Sequence, residues 1–123
     1  LRSDGIAVVA DIITSDVEEE AELHNALETL RDPSHIWALT KPELDELLIS
    51  HGLKIIAYDG WVSHREFGEW IKITNAPERV KPLLIVMKAL AGAGIDAGIN
   101  LRISGDTVRF DHTWRLVTAM KPR

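Results

Sequence analysis

The sequence predicts an α/β domain built in the order strand, helices, strand, helices and hairpin, with about three main strands and covering helices. Three observations carry this expectation. Ile6–Ile13 is a nearly continuous apolar run rich in β-branched residues, the pattern of a strand buried on both faces. Thr40-Lys41-Pro42-Glu43 is a capping box with Pro in the first turn, and Gly52 stands where that helix should stop. Residues 108 to 116 alternate after Gly105-Asp106, a two-residue hairpin signal.

Taken in chain order, Ser3-Asp4-Gly5 is a turn that feeds the first strand, and Asp11 interrupts the apolar run near its carboxyl end. Thr14, Ser15 and Asp16 are N-cap candidates, and Asp16 with Glu19 has capping-box spacing. The helix that follows carries Leu23, Leu27 and Leu30 on one stripe and ends before Asp32-Pro33-Ser34, because Pro33 disfavours a helical Asp32. Leu44, Leu47 and Leu48 form the buried stripe of the next helix. A second strand is expected over residues 53–58, which completes an α/β crossover. Ser63 and Glu66 are expected to cap a short helix bearing Phe67, Trp70 and Ile71.

Asn75-Ala76-Pro77-Glu78 should start a helix reaching about Ala91, which Pro82 would kink near its start. The hairpin pairs residues 99–104 with 107–120. In its second arm Val108, Phe110, His112, Trp114 and Leu116 share one face, and Arg109, Asp111, Thr113 and Arg115 the other.

Composition narrows the class of function. The chain has 123 residues, enough for one modest core, and 46% of them are hydrophobic. The net charge is −5, with acidic residues clustered from Asp16 to Glu22, which argues against nucleic acid as a partner. There is no cysteine, which excludes a disulfide framework and fits the reducing cytoplasm. No apolar run is long enough for a membrane helix, so no membrane partner is expected. The chain opens at Leu1, without Met, directly before a turn and a strand, and residues 1–123 are expected to be one partial domain.

The order of these elements, Leu23-His24-Asn25-Ala26-Leu27-Glu28, and Leu30-Arg31-Asp32-Pro33-Ser34-His35 together carry a resemblance. They resemble the C-terminal half of a class I S-adenosylmethionine-dependent methyltransferase, of the subgroup related to the ubiquinone and menaquinone C-methyltransferases. The resemblance implies the second part of a Rossmann-like seven-stranded fold. In it the long last strand inserts antiparallel between its two neighbours, giving the order 6–13, 107–120, 53–58. It implies S-adenosylmethionine as cofactor of the complete protein and a small-molecule methyl acceptor. The family's Gly-rich loop has no counterpart here. Gly92-Ala93-Gly94 follows a helix, whereas a cofactor loop should follow a strand and open a helix. The chain by itself is therefore expected to bind no cofactor and to transfer no methyl group.

Candidate site residues follow from position. Asp11, at a strand's carboxyl end, either lines a ligand crevice or bonds backbone N–H groups to fix the turn. His24 and Asn25 either face a substrate or sit half-buried on their helix. Asp32 and His35 lie in a loop, where a carboxylate can fix an imidazole as a catalytic base; Asp32 equally suits plain turn chemistry. Trp37, Trp61, Trp70 and Trp114 are candidate walls of an apolar substrate pocket, or simply packing. His112, flanked by Phe110 and Trp114, reads as a hydrogen-bonded core or interface histidine, and no metal-ligand spacing occurs. A non-catalytic binding or dimerisation module that keeps this half of the fold is the alternative function. Either way, the unprotected edge of the first strand predicts a homodimer.

Overall fold

The alternation from Val108 to Leu116 marks the strand on which the others assemble. In the computed structural model, which describes residues 5–73 and 77–122, β1 (Ile6–Ile13) is followed by α1 (Glu18–Arg31), α2 (Lys41–Ser50) and β2 (Lys54–Glu66). Then come α3 (Phe67–Trp70), 3-10 turns at Ile71–Ile73 and Pro77–Arg79, α4 (Val80–Gly92), β3 (Arg102–Ser104) and β4 (Thr107–Met120). The sheet order is β1-β4-β2, with β3 also paired to β4, and every pairing is antiparallel. The long last strand is thus central, as expected. β1 aligns Ile6 with Met120 and Ile13 with Thr113, and β3 aligns Ser104 with Thr107 on the same edge of β4.

β4 buries different faces along its length. Val108, Phe110 and His112 point one way and are buried. Val108 and Phe110 belong to a core with Leu27 of α1, Phe67 and Trp70 of α3, and Leu83 and Met87 of α4. Val117 points the other way, into a smaller core with Ile13, Leu44 of α2 and the partly buried Val9, Leu48 and Ile55. Beyond Trp114 the first face is uncovered: Ile6 and Val8 on β1 are 55% and 61% exposed.

Several local expectations hold. Thr40 Oγ1 accepts from Glu43 N at 3.3 Å while Glu43 Oε1 accepts from Thr40 N at 2.9 Å, a complete capping box. Gly52 ends α2 with φ +80°, the left-handed turn that glycine adopts without a Cβ penalty.

Others are corrected. The second strand does not stop at Tyr58 but runs to Glu66, so Ser63 is a strand residue opposite His112 and caps nothing. Gly60 lies within the strand, and the close approach of β4 requires glycine there: a Cβ would lie 2.7 Å from the Trp114 carbonyl oxygen. Glu66 precedes α3 without a side-chain cap. At α1 the N-cap is Val17, with no side-chain bond; Ser15 Oγ instead accepts from Val17 N and donates to Glu20. The expected Asp16–Glu19 box loses to this local alternative.

The start expected at Asn75-Ala76 lies outside the described residues. Pro82 sits in the first turn of α4, where no intrahelical bond needs its N–H, and the helix runs on to Gly92. The first hairpin arm shortens to Arg102–Ser104, because residues 97 and 100 take positive φ and turn the chain. Among the described residues no helix is long and apolar enough to cross a membrane.

Candidate functional site

The seam between the two cores of β4 opens a cavity of about 560 Å³. Its wall takes Asp11 and Ile12 from the carboxyl end of β1, His24, Glu28 and Arg31 from α1, and His35, Ile36, Trp37 and Ala38 from the loop after α1. Arg65, Trp70, His112 and Trp114 complete it. Helical spacing puts His24, Glu28 and Arg31 on one face of α1, four and three residues apart. Alternation puts His112 and Trp114 on one face of β4, with Ile12 opposite Trp114. Trp114 is in turn stacked on Trp61 of β2, ring centroids 5.7 Å apart and planes 9° from parallel.

The polar wall centres on Glu28. Its Oε1 is 2.8 Å from His112 Nε2 and 3.3 Å from His24 Nε2, and its Oε2 is 3.6 Å from Arg31 Nη2. Thr14 Oγ1 lies 2.9 Å from His24 Nδ1. Burial alone would push the Glu28 carboxyl up. The hydrogen bonds and charge of His112 and His24 outweigh it and hold the group well below the usual carboxylate range. The Arg31 guanidinium also lies 4.8 Å over the Trp70 ring. His24, Glu28 and His112 are the residues of the described chain whose carboxylate and imidazole atoms converge as a metal set does, all within 4.8 Å of one another.

A second layer is built on Asn25, which is fully buried. Its Oδ1 accepts from Ala38 N at 2.6 Å and lies 3.0 Å from His35 Nε2, and its Nδ2 donates to the Ala21 carbonyl at 2.9 Å. Asn25 thus ties the loop carrying His35 and Trp37 to α1. Burial lowers the His35 imidazole below its ordinary value; the Glu28 charge works against this, and those of His24 and Arg31 add to it. His35 is therefore a neutral ring at neutral pH, able to accept a proton.

The structure brings together Asp11, His24, His35 and Trp37 on one cavity, with Asn25 directly behind them. It separates Asp32 from them. The Asp32 carboxylate accepts from Ser34 N at 3.0 Å and from Ser34 Oγ at 2.6 Å, and these bonds lower its pKa. The expected Asp32–His35 side-chain pair is replaced by Asn25–His35, and Asp32 serves the turn, its carbonyl accepting from His35 N. Asp11 lines the cavity, and its carboxylate accepts from Ile12 N, the next residue of β1, at 2.8 Å. Sequence reasoning missed Glu28, Arg31 and Arg65, and read His112 as a core or interface histidine. The His24–Glu28–Arg31 spacing was the available signal for two of them.

No family model matches the sequence, and no curated protein matches it. Solved structures do. A proposed methyltransferase from Bacillus halodurans C-125 superposes with a TM-score of 0.87 at 20% identity, over 100% of this chain and 58% of that one. The YcgJ protein of Bacillus subtilis superposes at 0.84 with 21% identity, over 100% of this chain and 53% of that one. The chain has an α/β methyltransferase-like fold and spans a little over half the length of these proteins.

Proposed function

We propose that this chain is the substrate-side part, the C-terminal half, of an S-adenosylmethionine-dependent methyltransferase that acts on a small molecule. We place it in the cytoplasm and in the ubiquinone and menaquinone C-methyltransferase-like subgroup. The observation that carries the reading is the cavity at the carboxyl end of β1, on a fold shared with a proposed methyltransferase. In open α/β sheets ligands bind at that end of the strands. The cavity is of the size that encloses a small organic molecule, and its walls join three tryptophans to a few convergent polar groups. Its contents are a small-molecule methyl acceptor rather than nucleic acid; the net charge of −5 supports this.

Methyl transfer from a sulfonium needs in-line positioning in a dry pocket, and a base only where the acceptor must lose a proton. His35, held by Asn25, is that base, and Trp37, His24 and Asp11 border the acceptor. The residues present do not fit the cofactor itself. Among the described residues no glycine-rich turn leads from a strand into a helix; Gly92 ends α4 and Gly94 follows it. We therefore assign cofactor binding to a further part of a longer protein.

Radiolabelled methyl transfer and cofactor calorimetry test this on two samples, the 123-residue chain and a longer product that contains it. The expected result is no transfer by the chain and transfer by the longer form. That rate should fall about 10²-fold or more with His35→Ala, the usual contribution of a positioned base. Cofactor binding by neither form would favour the second reading, a non-catalytic module, which the missing cofactor turn supports. The uncovered face at Ile6 and Val8 supports self-association in either case; light scattering showing a monomer at micromolar concentration would remove that part.

A further inference from the structure

Two imidazoles aimed at one carboxylate oxygen are more than ion pairing requires. His24 and His112 come from different elements, and each directs Nε2, not Nδ1, at Oε1 of Glu28. All three residues are buried, at 2%, 5% and 6% exposure, and all three border the cavity. We infer that His24, Glu28 and His112 form a binding site for one divalent transition-metal ion of the zinc type.

The spacing suits such an ion. Bonds of about 2.0–2.1 Å in a tetrahedral arrangement set neighbouring ligand atoms roughly 3.3 Å apart. The His24–Glu28 separation is 3.3 Å; the His112–Glu28 separation, 2.8 Å, would open by about half an ångström. Two ring nitrogens and one carboxylate oxygen select zinc, cobalt or iron over magnesium and calcium, which prefer oxygen alone. The outer contacts are also in place. With Nε2 on the metal, His24 Nδ1 carries the proton and donates to the Thr14 hydroxyl 2.9 Å away, which fixes the ring. Arg31 faces the other carboxylate oxygen, Oε2, and leaves Oε1 to the ion.

Three protein ligands beside a cavity describe an open site, with a fourth position for water or an exogenous oxygen. Arg31 offsets the charge of Glu28, so the two charges of the ion favour an anionic oxygen in that position. Such a ligand would be an ionised hydroxyl or enol oxygen, whose proton loss the metal assists. The ion site itself stands independently of methyl transfer.

The test uses the tag-free 123-residue chain after dialysis against a chelator. Co²⁺ is added and followed by its visible ligand-field absorption, then Zn²⁺ by calorimetry, with Mg²⁺ as a control. The expected result is one Co²⁺ per chain, displaced by Zn²⁺ and indifferent to Mg²⁺. His24→Gln and His112→Gln keep an amide donor toward Glu28, so the fold persists, as circular dichroism would report. Each should weaken Co²⁺ binding by at least the roughly tenfold that loss of an outer contact alone costs. A measurement free of variants runs beside it: Zn²⁺ should shift the ring NMR resonances of His24 and His112 and leave those of His51 and His64 in place. Absence of stoichiometric uptake would overturn the site. So would uptake unchanged in the double glutamine variant, or resonance shifts confined to other histidines.

Discussion

The two ends of β4 solve the same packing problem differently. From Val108 to His112 the strand is buried on the face covered by α1, α3 and α4, and that core ends in a charged cluster. At Val117 the buried face is the opposite one, against α2, and its core is small, with the Arg115–Asp45 ion pair beside it. A strand that changes its buried face cannot be covered continuously on either side. The gap falls between His112 and Trp114, where the cavity lies. The cavity is thus placed by a change of cover along one strand rather than by a loop alone.

Side-chain truncation gives the strongest test of this contrast. Phe110→Ala in the larger core should cost about 3–5 kcal/mol, and Leu44→Ala in the smaller one about 2–3 kcal/mol, near the low end for such changes. Urea unfolding measures both; a larger loss at Leu44 would reverse the assignment of the main core.

Acid should separate the two ends next. The Glu28 carboxyl is held below its ordinary value of 4.5, so its contribution to stability is fully present above that pH and drains away as pH falls below it. One group of this kind gives a slope of up to about 1.4 kcal/mol per pH unit. Glu28→Gln should flatten that limb while Leu44→Ala leaves it unchanged, as unfolding at a series of pH values would reveal. Equal slopes in wild type and Glu28→Gln would remove the electrostatic distinction between the two ends.

The smallest effect belongs to the capping box beside the apolar core. Thr40→Ala should cost about 1 kcal/mol. Thermal unfolding would detect it, and no change would mean that α2 is held by Leu44 packing alone.

Local chemistry was legible in the sequence wherever local chemistry decides the outcome. The Thr40 box, the left-handed Gly52 and the alternation of β4 depend on neighbours in sequence, and each was readable. The central place of β4 came from the family resemblance joined to that alternation. What escaped depends on distant partners. The continuation of β2 past Tyr58 brings Gly60 against the Trp114 carbonyl, a partner far along the chain. His24 and Glu28 share a helix face in the sequence, but His112, 84 positions beyond Glu28, completes the cluster only through tertiary packing. Asp32 failed in the other direction: its attraction to Ser34 was plain turn chemistry, and that local bond prevailed over the pairing with His35.

The order β1-β4-β2 also governs how the chain is made. β1 and β2 leave the ribosome well before β4, yet neither pairs with the other, and each pairs with β4. Until β4 emerges, the nascent chain can form α1 and α2 but no part of this sheet. The edges that β4 will pair therefore remain open until it is made, and the β1–β4 contacts span most of the chain, which slows closure. Sheet formation is a late step of synthesis, and the interval before it is when the apolar β1 is most exposed to capture by a chaperone or by another nascent copy.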